Sequence, residues 1–133
     1  MIQINWQQDM TFRAENDRGA TLTMDGDATA GLSPMQALLA ALAGCTGMDV
    51  ISILEKKRQK VTAYRIEISG VRPDPGQWPR PYEQITVRHI VSGENIDPEA
   101  VARAVQLSDE KYCSVSATLR TPPAITTEWV IEP

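Results

Sequence analysis

The chain has 133 residues, 42% of them hydrophobic, and its 17 acidic and 13 basic side chains leave a formal charge of −4. That is apolar material for one core and too little length for two, which predicts a single domain spanning 1–133. No basic run follows a phosphate backbone, the longest apolar stretch is broken by Gly44, Gly47 and Asp49, and the amino terminus lacks a basic, apolar leader, so nucleic acid and membrane are excluded as partners and a cytoplasmic protein is expected.

The first segment alternates, with Ile2, Ile4 and Trp6 on one face, then "MTFRA", then Ala20, Leu22 and Met24, and turn signals between them predict a short antiparallel meander. Ser33 can cap a helix whose first position suits Pro34, because a missing N–H costs nothing there. Met35, Leu38, Leu39, Leu42, Cys45, Thr46, Val50, Ile53 and Leu54 then recur at three- and four-residue steps, and "EKKRQK" closes the helix with positive charge near its C-terminal end.

From Lys60 the period changes to two. Tyr64, Ile66 and Ile68 mark one strand and Ile85, Val87, His89 and Val91 another, joined through "RPDPGQWPRP" as a long hairpin. Asp97 and Pro98 repeat the cap-plus-proline signal for a second helix, with Val101, Ala104, Val105, Ser108 and Tyr112 as its inward stripe. "CSVSATL" reads as a short helix or turn and "AITTEWVI" as a last strand, so the fold class is α+β with an antiparallel sheet and two main helices.

The apolar residues of the first long helix cover well over half its circumference, more than one small sheet can bury. A second copy of the chain, admitted closely at Ala41, Gly44 and Gly47, would cover the rest and predicts a homodimer.

Two cysteines in a reducing compartment favour redox or catalytic thiols over a permanent staple, with two inert buried cysteines as the alternative. Cys45 lies on the apolar stripe of the long helix, flanked by Gly44 and Gly47, each of which costs a helix about 1 kcal/mol relative to Ala and suits a place of close approach. Asp49, one turn on, opposes a thiolate at Cys45 unless a cation lies near; the other reading is that Asp49 bonds a neighbouring strand or an arginine and never meets the sulfur. Cys113 begins a new segment, where free backbone N–H groups can stabilise a thiolate. Two separated cysteines and one histidine are too few for a zinc site, and His89 reads as a packed sheet residue.

Taken together, "SPMQALLAALAGCTGMDVISILEKKRQKV", "EKYCSVSATL", "MDG" at 24 to 26 and "ITVRHIVSG" at 85 to 93 resemble the OsmC/Ohr superfamily, and within it the YhfA-type branch of OsmC-like proteins. The resemblance spans essentially the whole chain. It implies an OsmC-like fold, an antiparallel sheet wrapped on a long central helix, assembled as an intertwined homodimer with sites at the subunit interface. It also implies thiol-dependent reduction of organic hydroperoxides without a cofactor: Cys45 attacks the peroxide, Cys113 resolves the sulfenic acid as a disulfide, and a dithiol reductant restores both.

Characterised members use an arginine from the N-terminal strands and a glutamate at the start of the central helix. Here Arg13 and Arg18 are the candidate arginines, whereas the glutamate's place holds Met35 or Gln36. Gln36 can orient a peroxide by hydrogen bonding but cannot hold an arginine by charge. The alternative on the same fold is a non-peroxidase whose thiol pair senses or binds a small electrophile or sulfur species.

Overall fold

The computed structural model describes residues 1–133. Strands β1 (Gln3–Gln8), β2 (Thr11–Glu15) and β3 (Thr21–Asp25) form an antiparallel meander in the order β1-β2-β3. The Asn16 side chain shapes the second turn by accepting from the backbone N–H groups of Arg18 and Ala20, both at 2.9 Å. Asp25 ends β3 and holds the following loop, its carboxylate accepting from the backbone of Asp27, Thr29 and Ala30 and from the Thr29 hydroxyl. Those bonds, led by the one from Ala30, hold the Asp25 carboxyl down at about 2.

Helix α1 (Pro34–Lys56) starts where the cap predicts, with Ser33 Oγ accepting from Gln36 N at 3.2 Å and Gln36 Oε1 accepting from Ser33 N at 3.0 Å. It buries one stripe at four-residue spacing, Leu42, Thr46, Val50 and Leu54. Strands β4 (Lys60–Val71) and β5 (Gln84–Glu94) pair antiparallel along their length, from Lys60 opposite Glu94 to Val71 opposite Gln84. Gly47 brings α1 down on this hairpin: a Cβ there would lie 3.0 Å from Ile66 Cδ1. The close approach foreseen at Gly47 is therefore to a strand of its own chain, while Gly44 faces open space.

Helix α2 (Pro98–Leu107) is capped by Asp97, whose side chain accepts from Glu99 N at 3.0 Å. Val50 and Leu54 of α1 pack with Ala100 and Ala104 of α2 in the core, bordered by Val61, Tyr64 and Val91 of the hairpin. Beyond α2 the chain makes one π-helical turn, Ser108–Tyr112, and then α3 (Ser114–Arg120). That turn corrects the expected stripe. Its 2.8 Å bond from Cys113 N to Ser108 O spans five residues, so the buried series Ala100, Ala104, Ser108 continues at Cys113 and Tyr112 turns outward.

Two further expectations are corrected. "AITTEWVI" forms no strand: Ile125, Trp129, Val130 and Ile131 are exposed and no strand of the same chain pairs with them. The α1 stretch, read as too interrupted to match a membrane span, has the length and a mean hydropathy of 1.9 that such a span requires. Its buried stripe nevertheless packs on the α2 helix of this chain, and Asp49 is hydrogen-bonded within it.

Candidate functional site: a thiol pair beside an apolar cleft

The π-helical turn sets the site. By adding a residue to the helical repeat it swings Cys113 toward the face of α1 that carries Cys45, near enough for Cys45 to push up the pKa of Cys113. Cys113 is buried and Cys45 half-buried, both as free thiols. Cys113 also caps α3, its Sγ accepting from Ser116 N at 3.4 Å, which is the backbone donor that its position at a segment start foretold.

The electrostatics of Cys113 favour the thiol. Burial is the largest influence and pushes its pKa up. The Ser116 N–H works against this, while the nearby Cys45 and the negative charge of Asp49 add to the rise. A protonated, shielded sulfur makes a poor first nucleophile and a well-placed second one.

Asp49 meets neither a strand nor an arginine. It accepts from the Ser108 hydroxyl at 2.9 Å, and that hydroxyl lies 2.8 Å from the hydroxyl of Thr46. Since Ser108 gives its proton to Asp49, Thr46 donates to Ser108. This buried relay ties α1 to the π-helical turn one residue away from Cys45 and five before Cys113, so it fixes the spacing of the two sulfurs. Sequence reading placed Ser108 and Thr46 on inward stripes but treated them as packing; a hydroxyl on each of two facing stripes was the available signal.

A cleft of about 1230 Å³ opens beside Cys113. Met35, Leu38, Leu42, Ile85 and Val87 give it an apolar lining, and His89 stands in its wall. The His89 ring lies parallel to that of Tyr64 and its Nδ1 is 2.7 Å from the Tyr64 hydroxyl. Burial lowers the pKa of His89 and raises that of Tyr64 to about 12, so both are neutral near pH 7. His89 is thus a sheet residue that also faces a cavity.

The remaining expected site residues lie elsewhere in the single chain. Gln36 is exposed and engaged at both its backbone and its side chain in the capping box, which leaves its amide oxygen spent on Ser33. Arg13 on β2 and Arg18 in the following turn are exposed and pair with no carboxylate. Asp49 has no cationic partner either, so the positive charge that an ionised Cys45 calls for is not supplied at Asp49 by the same chain.

Comparison with known proteins bears on the family and the fold. Residues 25–128 match the family model described as OsmC-like protein. The chain is 38% identical over 125 residues to the protein YhfA of Escherichia coli K12, covering 93% of this chain and 92% of that one. Among solved structures, a hypothetical protein from Aquifex aeolicus VF5 superposes with a TM-score of 0.80 at 34% identity, over 92% of this chain and 87% of that chain. The organic hydroperoxide resistance protein OhrB of Bacillus subtilis shares the fold at a TM-score of 0.58 and 18% identity, over 92% of each chain.

Proposed function

The chain belongs to the OsmC-like family, and from that premise we propose that it is a cytoplasmic thiol-dependent peroxidase acting on organic hydroperoxides through Cys45 and Cys113. One observation carries the reading. Two free thiols, 68 residues apart in sequence (113 − 45), are brought near enough for one to shift the pKa of the other, and Cys113 lines an apolar cleft. A protein that shares the fold bears the name organic hydroperoxide resistance protein.

In the proposed cycle the Cys45 thiolate attacks one oxygen of the O–O bond. That bond breaks, the other oxygen leaves with a proton as an alcohol, and Cys45 becomes a sulfenic acid. Cys113 then loses its proton and attacks the Cys45 sulfur, water departs, and a disulfide remains. An external dithiol reduces it and is itself oxidised. The raised pKa of Cys113 suits this order, because Cys113 is called on only after Cys45 has been oxidised.

The functional unit in this proposal is a homodimer. A compact monomer of 14.7 kDa exposes about 6,900 Å², whereas this chain exposes 10314 Å² and buries only 11 of its 133 residues. Surplus surface on that scale is what a large, apolar two-fold interface removes. In such an assembly Arg13 or Arg18 would reach the thiols from the partner subunit.

Treatment of the reduced protein with cumene hydroperoxide tests the enzyme reading. Cys113→Ser should accumulate a sulfenate trapped by dimedone, and Cys45→Ser should consume no peroxide. Full turnover by Cys45→Ser would sink it.

A second reading draws on the capping role of Gln36 and the lack of a cation on Asp49: the thiol pair would then sense or bind a small electrophile without turnover. Disulfide formation without peroxide consumption beyond one equivalent, in the presence of excess dithiol, is its signature.

A further inference from the structure

The loop between β4 and β5 holds an arrangement that the thiol chemistry leaves unused. Arg72 Nε donates to Arg80 O at 2.7 Å and Arg80 Nε donates to Pro73 O at 2.9 Å, so each guanidinium is pinned to the opposite limb of the loop. Arg72 lies 6.0 Å from the centre of the Tyr82 ring and Arg80 5.9 Å from that of Trp78. Tyr82 in turn docks the loop on the start of α1, donating to Met35 O at 2.8 Å, with its ring packed against Gly70, where a Cβ would not fit.

Two half-buried arginines held this way keep their outer nitrogens unspent. Neither forms an ion pair within the chain. Their Nη groups make no hydrogen bond, and no buried side-chain polar atom lacks a partner, so these nitrogens remain open to solvent. Both arginines stand in the wall of the same cleft that Cys113 and the apolar residues of α1 and β5 line. Rigid, outward Nη pairs are suited to forked contacts with a carboxylate or phosphate.

We infer that Arg72 and Arg80 form an anion-binding site at one end of the cleft, and that the molecule taken there carries a carboxylate or a phosphate monoester on an apolar body. The inference deepens the proposed function by naming the class of molecule that enters its cleft, and it rests on reading that cleft as the substrate site. Of the carboxylates in the cleft wall, Asp109 pairs with Arg120 and Glu110 accepts from Gln106, so Glu83 alone opposes the two arginines that give the head group its place at the loop. Met35, Leu38, Leu42, Ile85 and Val87 give the apolar body its place along α1 and β5. Trp78, 77% exposed, stands beside the Arg80 guanidinium where a bound head group would alter its surroundings.

The test measures binding without any thiol reaction, so its outcome is separate from that of the peroxidase reading. The reduced full-length protein is titrated calorimetrically with decanoate, decyl phosphate, decanol and decyltrimethylammonium, all below their micellar concentrations. The inference predicts that at least one of the two anions binds tenfold or more tightly than decanol, and that the cation binds most weakly. The preferred anion identifies the head group, and the preference should shrink as salt is raised. In R72Q/R80Q the preference for the anion should vanish while decanol binding stays within twofold.

Equal binding of anions and decanol by the unaltered protein would overturn the inference, and that comparison needs no variant to fold. So would an R72Q/R80Q protein that retains the preference. Conversion of R72Q/R80Q from dimer to monomer in sedimentation would also overturn it, because the arginines would then serve a partner subunit.

Discussion

Helices α1 and α2 and the β4–β5 hairpin bury Val50, Leu54, Ala100 and Ala104 against one another, whereas the β1–β3 sheet buries only Ala14 and Asp25 and leaves Ile4, Trp6 and Leu22 exposed. The tail after α3 resembles the sheet in this respect, with Trp129 85% and Ile131 79% exposed. Apolar burial stabilises by about 25 cal/mol per Å², so the first region supplies its own stability and the second does not. The difference marks where the second copy of the proposed homodimer would bind. A sheet with an unpaired edge at β1 and a tail of alternating apolar residues each lack what the other offers, and within one chain they do not meet. The thiol pair lies in the self-sufficient region, and its candidate arginines lie in the other.

The largest expected effect follows from removing the tail. Deletion of residues 122–133 should turn a dimer into a monomer at micromolar concentration, read by sedimentation velocity, while the α-helical circular dichroism is largely kept. A dimer that survives the deletion would break the comparison, because the tail would then have no part in assembly.

Next comes a substitution in the self-sufficient region. Leu54→Ala should cost about 2–5 kcal/mol in urea unfolding, since Leu54 is fully buried in the α1–α2 core. Leu22→Ala, on the exposed face of β3, should cost less than half as much in protein held monomeric by the deletion. Similar costs for the two would erase the distinction between the regions.

Ser108→Ala sharpens the account of the thiols. It leaves Asp49 and Thr46 without their shared hydroxyl, a loss of about 1–3 kcal/mol. It should also slow closure of the Cys45–Cys113 disulfide in stopped-flow measurements, because α1 and the π-helical turn lose their tie. An unchanged closure rate in a destabilised protein would mean that the relay supports the fold alone.

The smallest effect concerns pH and the unfinished sheet. The Asp25 carboxyl is lower in the fold, at about 2, than its ordinary 3.8, so it adds stability above pH 3.8 that is lost as pH falls toward 2. In Asp25→Asn the acid limb of the stability profile should be shallower across that window. A limb of unchanged slope would show that the loop bonds of Asp25 carry none of the acid sensitivity.

Much of this was legible in the sequence, and the exceptions share a cause. Ser33–Pro34 and Asp97–Pro98 announced both helix starts, and the two-residue period announced the hairpin, because caps and strand patterns are local chemistry. The π-helical turn carried no such mark: "SDEKY" is compatible with an α-helix, and only the fit of Ser108 and Cys113 against α1 selects the extra residue. "AITTEWVI" has the composition of a strand, but a strand also needs a partner edge, and this chain offers it none. Gln36 can orient a peroxide in principle, but the capping-box spacing after Ser33 already claims it. The Arg72–Arg80 clamp has no mark in the sequence because its two limbs meet only when β4 and β5 pair.

The central claim is that Cys45 and Cys113 are a working pair. One equivalent of tert-butyl hydroperoxide added to the fully reduced protein, followed by peptide mapping in a mass spectrometer, tests it most directly. The account predicts a single Cys45–Cys113 disulfide, with one equivalent of alcohol released and two thiols lost per chain. Cys45 and Cys113 both remaining as thiols while the hydroperoxide persists would contradict it.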